Sequence, residues 1–425
     1  MNNTKNRNVR NKILLIVFVI GILKVEAQVS TFKTIDSLVN IGRYQTALTK
    51  LHELDTTFQS TSKVASIYAS IDNYKKASLY YEKALELKDD YSVKVRLAKA
   101  YKKEKKLQKA IDVYEGIISE DSENLFIKYQ LGKLYVQTKQ PAKAIDTFKN
   151  IIKQDSTNAN YHYRLGIAYG MLKKRNLKIN SFLEAYKNDT THIKSIHHLA
   201  LAYTLLHDKD SANIFINRGL VVNPNHINLN KLKINNLYRE EKFTEAIQFL
   251  KRIDTIEPNE HYTQKMLGRS YFNLKKYEEA KKYFNKAIRI DKSDFKAYTY
   301  LGDINFEKKK FYKAQLDYMV ATFAGKEPRD VEYYQLARVY KELGNPKEEL
   351  KSYKKSFEEN RKKYKALYQL AKTSEDYYKD KRIAYKHYKN YVNRFERKDS
   401  VLTKHAKERL KEIKKYYFLQ GEILQ

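Results

Sequence analysis

Residues 261–294 read HYTQKMLGRSYFNLKKYEEAKKYFNKAIRIDKSD, and this stretch decides the fold. Leu267, Tyr271 and Leu274 recur at intervals of three to four residues, so they share one face of a first helix. A second apolar set predicts a second helix in the same way: Ala280, Phe284, Ala287 and Ile288. We expect a short polar turn over residues 275–278. The stretch therefore predicts a pair of antiparallel helices.

The pattern of this stretch recurs every 34 residues from Tyr91 to residue 328. The eighth position of the repeat is mostly small: Ala98, Gly132, Gly166, Ala200, Ile234, Gly268 and Gly302. The twentieth position is mostly alanine: Ala110, Ala144, Lys178, Ala212, Ala246, Ala280 and Ala314. Small residues let two helices approach closely where they cross. A fixed period of this length indicates a solenoid, because each helix pair leaves an apolar flank that only the next pair covers.

With leucine at the seventh position and an aromatic residue at the eleventh, the repeat resembles the tetratricopeptide repeat family. The family's tryptophan near the start of the repeat is absent, since the chain has no Trp. The repeat from Ile227 has Lys233 and Ile234 at the seventh and eighth positions, and we interpret it as degenerate. The resemblance implies an all-α, right-handed superhelical solenoid of antiparallel helix pairs. It would comprise about ten to eleven repeats and a C-terminal capping helix.

Weaker repeats extend the array on both sides, over residues 31–90 and 330–399. The predicted superhelix therefore covers residues 28–399. Residues 400–425 carry apolar residues at helical spacing amid Lys and Glu, which predicts a capping helix with a polar outer face. This arrangement leaves no room for a second globular domain of ordinary size.

The first 27 residues have the order of a secretory signal peptide. A basic start is followed by the apolar stretch Ile13–Leu23 and by Val25-Glu26-Ala27, which offers small residues for cleavage after Ala27. The alternative is a membrane anchor, but eleven apolar residues are about half of the roughly 20 that a spanning helix needs. We therefore expect an exported bacterial protein that is periplasmic or extracellular after cleavage.

The chain is strongly basic, with a formal net charge of +33. Such a charge favours anionic partners, including nucleic acid, acidic polysaccharide, lipid head groups and acidic protein surfaces. The alternative is compositional: lysine runs such as residues 102–106 and 308–310 fall where the frame places turns, and solvated charge there needs no partner.

The resemblance also implies a binding surface, because the first helices of such repeats line a concave face on which ligands lie. The frame places these candidate partner-binding residues there: Lys99, Tyr129, Lys133, Tyr163, Lys231, Tyr238, Arg239, Tyr262, Lys265, Arg269, Tyr334, Arg338 and Lys341. Rings interleaved with cations suit an acidic or extended peptide. They also suit an anionic polymer, either a nucleic acid or an acidic polysaccharide. A third interpretation is that several of these tyrosines pack sideways against neighbouring helices.

Asp followed by Ser or Thr recurs in the chain and resembles an O-glycosylation sequon of exported bacterial proteins. The positions are Asp36, Asp189, Asp210, Asp254 and Asp399. Helix capping is the alternative that we favour, since turns place these residue types there in any case.

Catalytic motifs are missing from the sequence: it has no HExxH, P-loop, GxSxG or GxGxxG pattern, and no cysteine for thiol chemistry. His192, His197, His198 and His207 fall in one repeat, but no carboxylates at ligand spacing accompany them. We therefore predict neither an enzyme nor a cofactor or metal site. The sequence favours a protein-binding scaffold or assembly factor of the bacterial cell envelope, and a binder of anionic polymer is the alternative.

Overall fold

The computed structural model describes residues 30–324 and 328–424. Every regular element in these two ranges is an α-helix, 23 in all, which confirms the all-α prediction. The predicted signal peptide, residues 1–27, lies outside the described residues. Within the described ranges, no helix is both long and apolar enough to cross a membrane.

The chain divides into two compact units, with His207 as the last residue of the first unit and Asp208 as the first residue of the second. The helices of the N-terminal unit are α1 (30–40), α2 (Tyr44–His52), α3 (Phe58–Ser70), α4 (Tyr74–Leu87), α5 (Tyr91–Lys103), α6 (Leu107–Glu120), α7 (Leu125–Gln137), α8 (Pro141–Gln154), α9 (Ala159–Met171), α10 (Arg175–Asn188) and α11 (Ile193–Leu205). From α2 onward, consecutive helices of this unit pack against each other, as stacking of helix pairs requires.

The C-terminal unit continues the same pattern. Its helices are α12 (Lys209–Val222), α13 (Ile227–Arg239), α14 (Phe243–Ile256), α15 (His261–Asn273), α16 (Tyr277–Ile290), α17 (Phe295–Glu307), α18 (Phe311–Ala324), α19 (Asp330–Glu342), α20 (Pro346–Glu359), α21 (Tyr364–Tyr377), α22 (Arg382–Phe395) and α23 (Ser400–Phe418). The degenerate repeat from Ile227 is a regular helix pair, α13 and α14. The last helix buries Ala406, Ile413 and Tyr417 against the preceding pair.

Capping side chains begin the first helices, and residues with positive φ form the turns between paired helices. Side chains such as Asp90, Asn124 and Asp294 precede first helices and accept a hydrogen bond from the backbone N–H three residues later. The turn inside most repeats contains a residue with positive φ: Asp72, Lys105, Lys139, Lys173, His207, Glu241, Lys275, Lys309 and Gly344. This turn is shorter than predicted over residues 275–278, because Tyr277 and Glu278 already belong to α16.

The small eighth position accommodates an aromatic ring 16 residues later in the same repeat. An added Cβ on Gly268 would lie 2.7 Å from Cδ1 of Phe284, and one on Gly302 would lie 2.6 Å from Cδ1 of Tyr318. Phe284 is fully buried and Tyr318 nearly so. The prediction of close helix approach is thus refined: the glycine makes room for a ring of the second helix.

Capping explains only part of the Asp-Ser/Thr pattern. Asp399 accepts a hydrogen bond from the N–H of Leu402 at 3.1 Å and caps α23, and Asp189 accepts one from the N–H of Thr191 at 2.8 Å in a turn. Asp36, Asp210 and Asp254, however, lie within α1, α12 and α14. The capping interpretation is therefore wrong for these three residues.

A candidate partner-binding face

The first helices of the N-terminal unit carry a set of cations without acidic partners. We call this set the basic face: Arg96, Lys99 and Lys102 on α5, Lys133 on α7, Arg164 on α9 and Lys194 on α11. Among the described residues, none of these six side chains forms an ion pair with a carboxylate. Two of them, Lys99 and Lys133, were predicted from the repeat frame.

The pKa of Lys133 reflects partial burial and the repulsion among the cations of the basic face. Its pKa lies below the ordinary value, first because the side chain is partly buried and then because Lys102, Arg164 and Lys194 are close enough to repel its charge. Its ammonium donates a hydrogen bond of 3.2 Å to a neutral group, the amide oxygen of Gln130. Four first helices thus converge on one electropositive region that an anion would stabilise.

A cavity of about 440 Å³ adjoins the basic face. Arg96, Lys99, Lys102 and Lys103 line one side, and Tyr74 and Tyr81 of α4 line the other. The guanidinium of Arg96 donates to Oγ of Ser66 at 3.3 Å, and that hydroxyl shares a 3.3 Å hydrogen bond with the Tyr81 hydroxyl. The cavity therefore combines cations, hydroxyl groups and ring surface.

The predicted tyrosines of this unit are covered rather than open. Tyr129 lies against Phe148 and Tyr161, with the Lys133 ammonium 5.2 Å from its ring centroid. Tyr163 is buried, with the guanidinium carbon of Arg164 5.6 Å from its ring centroid. These contacts agree with the interpretation that these rings pack sideways. They leave the cations, not the ring faces, available to a ligand.

In the C-terminal unit, the predicted residues pair with each other from one first helix to the next. The Lys231 ammonium on α13 lies 5.0 Å from the ring centroid of Tyr262 on α15. The Arg269 guanidinium carbon lies 5.5 Å from the Tyr238 ring centroid, and the Tyr238 hydroxyl donates to the Met266 carbonyl at 2.8 Å. Burial raises the pKa of Tyr238 to about 12.

Other predicted cations of this unit are held by internal partners. Lys265 forms an ion pair of 3.1 Å with Asp294, and Arg338 donates to Gln335 at 2.9 Å while lying over the Phe306 ring. Tyr334 packs edge-on against Tyr353. Arg239 and Lys341 are exposed. The structure therefore does not gather these residues into one basic cluster comparable to that of the N-terminal unit.

Four residues of the basic face were not predicted: Arg96, Lys102, Arg164 and Lys194. Lys102 was assigned to a turn as solvated charge, which is wrong because α5 continues to Lys103. The available signal was helical spacing, since Arg96 and Lys102 lie three residues before and after Lys99. Their convergence with Lys133, however, depends on how neighbouring repeats stack.

Two histidines of the histidine-rich repeat, His192 and His198, pack against aromatic rings. No described group of histidines and carboxylates could hold a metal ion. The His198 ring stacks on Phe182 at 4.9 Å between centroids, and both His198 and His192 lie against Tyr163. Burial is the main reason that the pKa values of both histidines lie below the ordinary 6.5, and nearby cations lower them further.

These shifts predict a loss of stability in mild acid. A histidine with a lowered pKa binds its proton less readily in the folded than in the unfolded state, so its stabilising contribution is present above pH 6.5 and is lost as the pH falls below it. Urea midpoints between about pH 7.5 and about pH 5.5 should therefore fall, and His198→Phe should reduce that fall. Identical pH profiles for both proteins would contradict this role of His198.

Comparison with known proteins identifies the repeat. Family models described as tetratricopeptide repeat match residues 63–91, 266–294 and 333–363, and another such model matches 102–165. The chain is similar to yeast Tom70, at 14% identity over 93% of this chain and 97% of that chain, with a TM-score of 0.40. No curated protein matches it significantly.

Two bacterial structures are also similar. PilF of Pseudomonas aeruginosa shares 16% identity over 52% of this chain and 99% of that one, with a TM-score of 0.42. A tetratricopeptide repeat protein from Parabacteroides merdae shares 17% identity over 61% and 98%, with a TM-score of 0.39. At these levels of identity, the similarity indicates a shared type of fold and says nothing about function.

Proposed function

Because this chain is a tetratricopeptide repeat protein, a class of generally non-catalytic interaction scaffolds, we propose that it binds an acidic, extended segment of a partner protein on its basic face. The observation that carries this proposal is the convergence of Lys102, Lys133, Arg164 and Lys194, which form no ion pair with a carboxylate among the described residues. A bound carboxylate would relieve the repulsion among these charges and would form charge-assisted hydrogen bonds.

The adjoining cavity supports a side-chain anchor within that segment. Its volume of about 440 Å³ suits one side chain of the partner segment. A ring or hydrocarbon side chain would pack against Tyr74 and Tyr81, and negative charge on or beside that residue would face the cations. Anchors of this kind contribute most of the affinity in many protein interfaces, whereas exposed rim charges contribute little. The cavity thus provides specificity that charge alone does not.

Ring burial favours a peptide over an anionic polymer. Proteins that bind single-stranded nucleic acid stack the bases on open aromatic faces. On the predicted face of the N-terminal unit, Tyr129 and Tyr163 are instead covered by Lys133, Arg164 and neighbouring rings. Polymer binding through a tyrosine-rich groove is therefore the less favoured function.

We also propose that the protein acts in the bacterial cell envelope, on the basis of the signal-peptide pattern of residues 1–27. If so, protein recovered from the cell envelope should begin near Gln28. N-terminal sequencing tests this directly, and a chain that still begins at Met1 would contradict it.

Salt dependence tests peptide against polymer. We expect a fluorescent Glu- and Tyr-containing peptide to bind at about 150 mM salt, and its Gln-for-Glu counterpart to bind at least about tenfold more weakly. Oligothymidine and dextran sulfate serve as polymer probes, measured by fluorescence anisotropy. If both polymers bind more tightly than the peptide and lose affinity steeply with salt, the alternative function is correct.

A further inference from the structure

Helix α18 of the C-terminal unit exposes a continuous row of apolar side chains. We call this row the apolar stripe; its members and their exposed fractions are Tyr312 (78%), Leu316 (63%), Met319 (37%) and Phe323 (82%). Their spacing places them on one helix face. The opposite face is already buried, through Ala314, Tyr318 and Ala321. Helix α18 thus has two apolar faces: one packs in the core, and the other, the apolar stripe, is exposed to solvent.

The repeat frame shows that the stripe is not a requirement of the fold. On α16, one repeat earlier, the same four positions are Glu278, Lys282, Asn285 and Arg289. On α8 they are Ala142, Asp146, Lys149 and Lys153. Helices α8 and α16 therefore fold with a polar outer face. On α12, two of the equivalent positions, Ile214 and Val221, are exposed and apolar, but only α18 of these four helices carries the full apolar stripe, which needs another explanation.

The surroundings of the stripe are cationic. Lys309, Lys310 and Lys313 are exposed at the start of α18. Asp317, the single carboxylate on this helix, is half-buried and accepts a hydrogen bond of 2.6 Å from the amide of Asn305. The stripe thus has positive charge beside it, while the one negative charge of the helix is engaged internally.

We propose that the apolar stripe docks on an anionic membrane surface. Tyr312, Leu316 and Phe323 would enter the boundary between head groups and acyl chains, and the adjacent lysines would contact anionic head groups. A second copy of this chain is disfavoured as the occupant, because two molecules of net charge +33 repel each other. This surface lies on a different unit from the basic face, so the proposal does not depend on the proposed function.

A single fluorescent label tests the proposal in the full-length protein. The chain has no cysteine, so Leu316→Cys provides a unique site for an environment-sensitive dye. Lys282→Cys is the matched control, since Lys282 is exposed at the same register position of α16. The probe is a vesicle of phosphatidylglycerol and phosphatidylcholine in equal parts, compared with phosphatidylcholine alone. Because the readout is local, membrane binding by any other segment does not produce it.

We expect the dye at position 316 to shift to the blue with anionic vesicles, to respond weakly to neutral ones, and to be quenched by brominated lipid. The dye at position 282 should stay aqueous. Adding Phe323→Ser should weaken the response at position 316 by about tenfold or more. An aqueous dye at position 316 would overturn the proposal. So would shielding without vesicles that grows with protein concentration, which would identify a second copy as the occupant.

Discussion

Replacing Phe284 with alanine is expected to lower the free energy of unfolding of the C-terminal unit by about 3–5 kcal/mol. The Phe284 side chain is fully buried, stacks on Tyr300 at 4.9 Å between centroids, and fills the space above Gly268. Its removal leaves a cavity between α15 and α16. Urea unfolding followed by circular dichroism measures the loss, and hydrogen exchange of α15 and α16 shows whether it is local.

The complementary change is Gly268→Val, which places side-chain atoms where the Phe284 ring lies. We expect overpacking to cost about 1–3 kcal/mol. In the Gly268→Val/Phe284→Ala double variant, the new methyl groups occupy space that the ring has left, so the two costs should not add. Gly116→Ala is the control, because a Cβ on Gly116 meets no atom within 4 Å and should be neutral or stabilising. Additive costs would contradict the pairing of glycine and ring.

The second large effect concerns binding. The double variant Arg96→Glu/Lys99→Glu should weaken binding of the acidic peptide by about 100-fold, because two cations beside the cavity become repulsive carboxylates. Isothermal titration calorimetry or anisotropy measures this change. Both side chains are exposed, so the unfolding midpoint should change little.

A matched control distinguishes the loss of specific contacts at the basic face from the effect of a lower net charge. Lys149→Glu/Lys153→Glu changes the charge of the same unit by the same amount, but on the exposed side of the second helix α8. We expect this control to retain peptide affinity within about threefold, since screened charges at a distance act weakly. Equal losses in both double variants would show that only overall charge matters.

The repeat architecture was predictable because its determinants lie within 34 residues of each other. Gly268 and Phe284 belong to the same repeat, so the spacing of small and aromatic residues specifies both helices and their close contact. Even the degenerate repeat from Ile227 keeps enough of its second helix, through Ala246 and Leu250, to be recognised.

The candidate site was less predictable because its geometry depends on contacts between repeats. The frame places Tyr163 on the first-helix face, but His198, one repeat later, covers it. Likewise, the sequence does not show that Asp294 neutralises Lys265, nor that Lys102 lies near Lys133. The apolar stripe of α18 was not predicted, because its residues lie at outer positions of the repeat, and the periodicity that identifies the helices concerns the core positions.

Site-specific photocrosslinking in living cells tests the central claim most directly. A benzophenone side chain at position 99 should form an adduct with a protein, and the crosslinked peptide should be rich in Asp or Glu. The same side chain at position 149, on the exposed side of α8, should not form this adduct. Adducts at position 99 only with polysaccharide or nucleic acid, or the same protein adduct at both positions, would contradict binding of an acidic partner segment on the basic face.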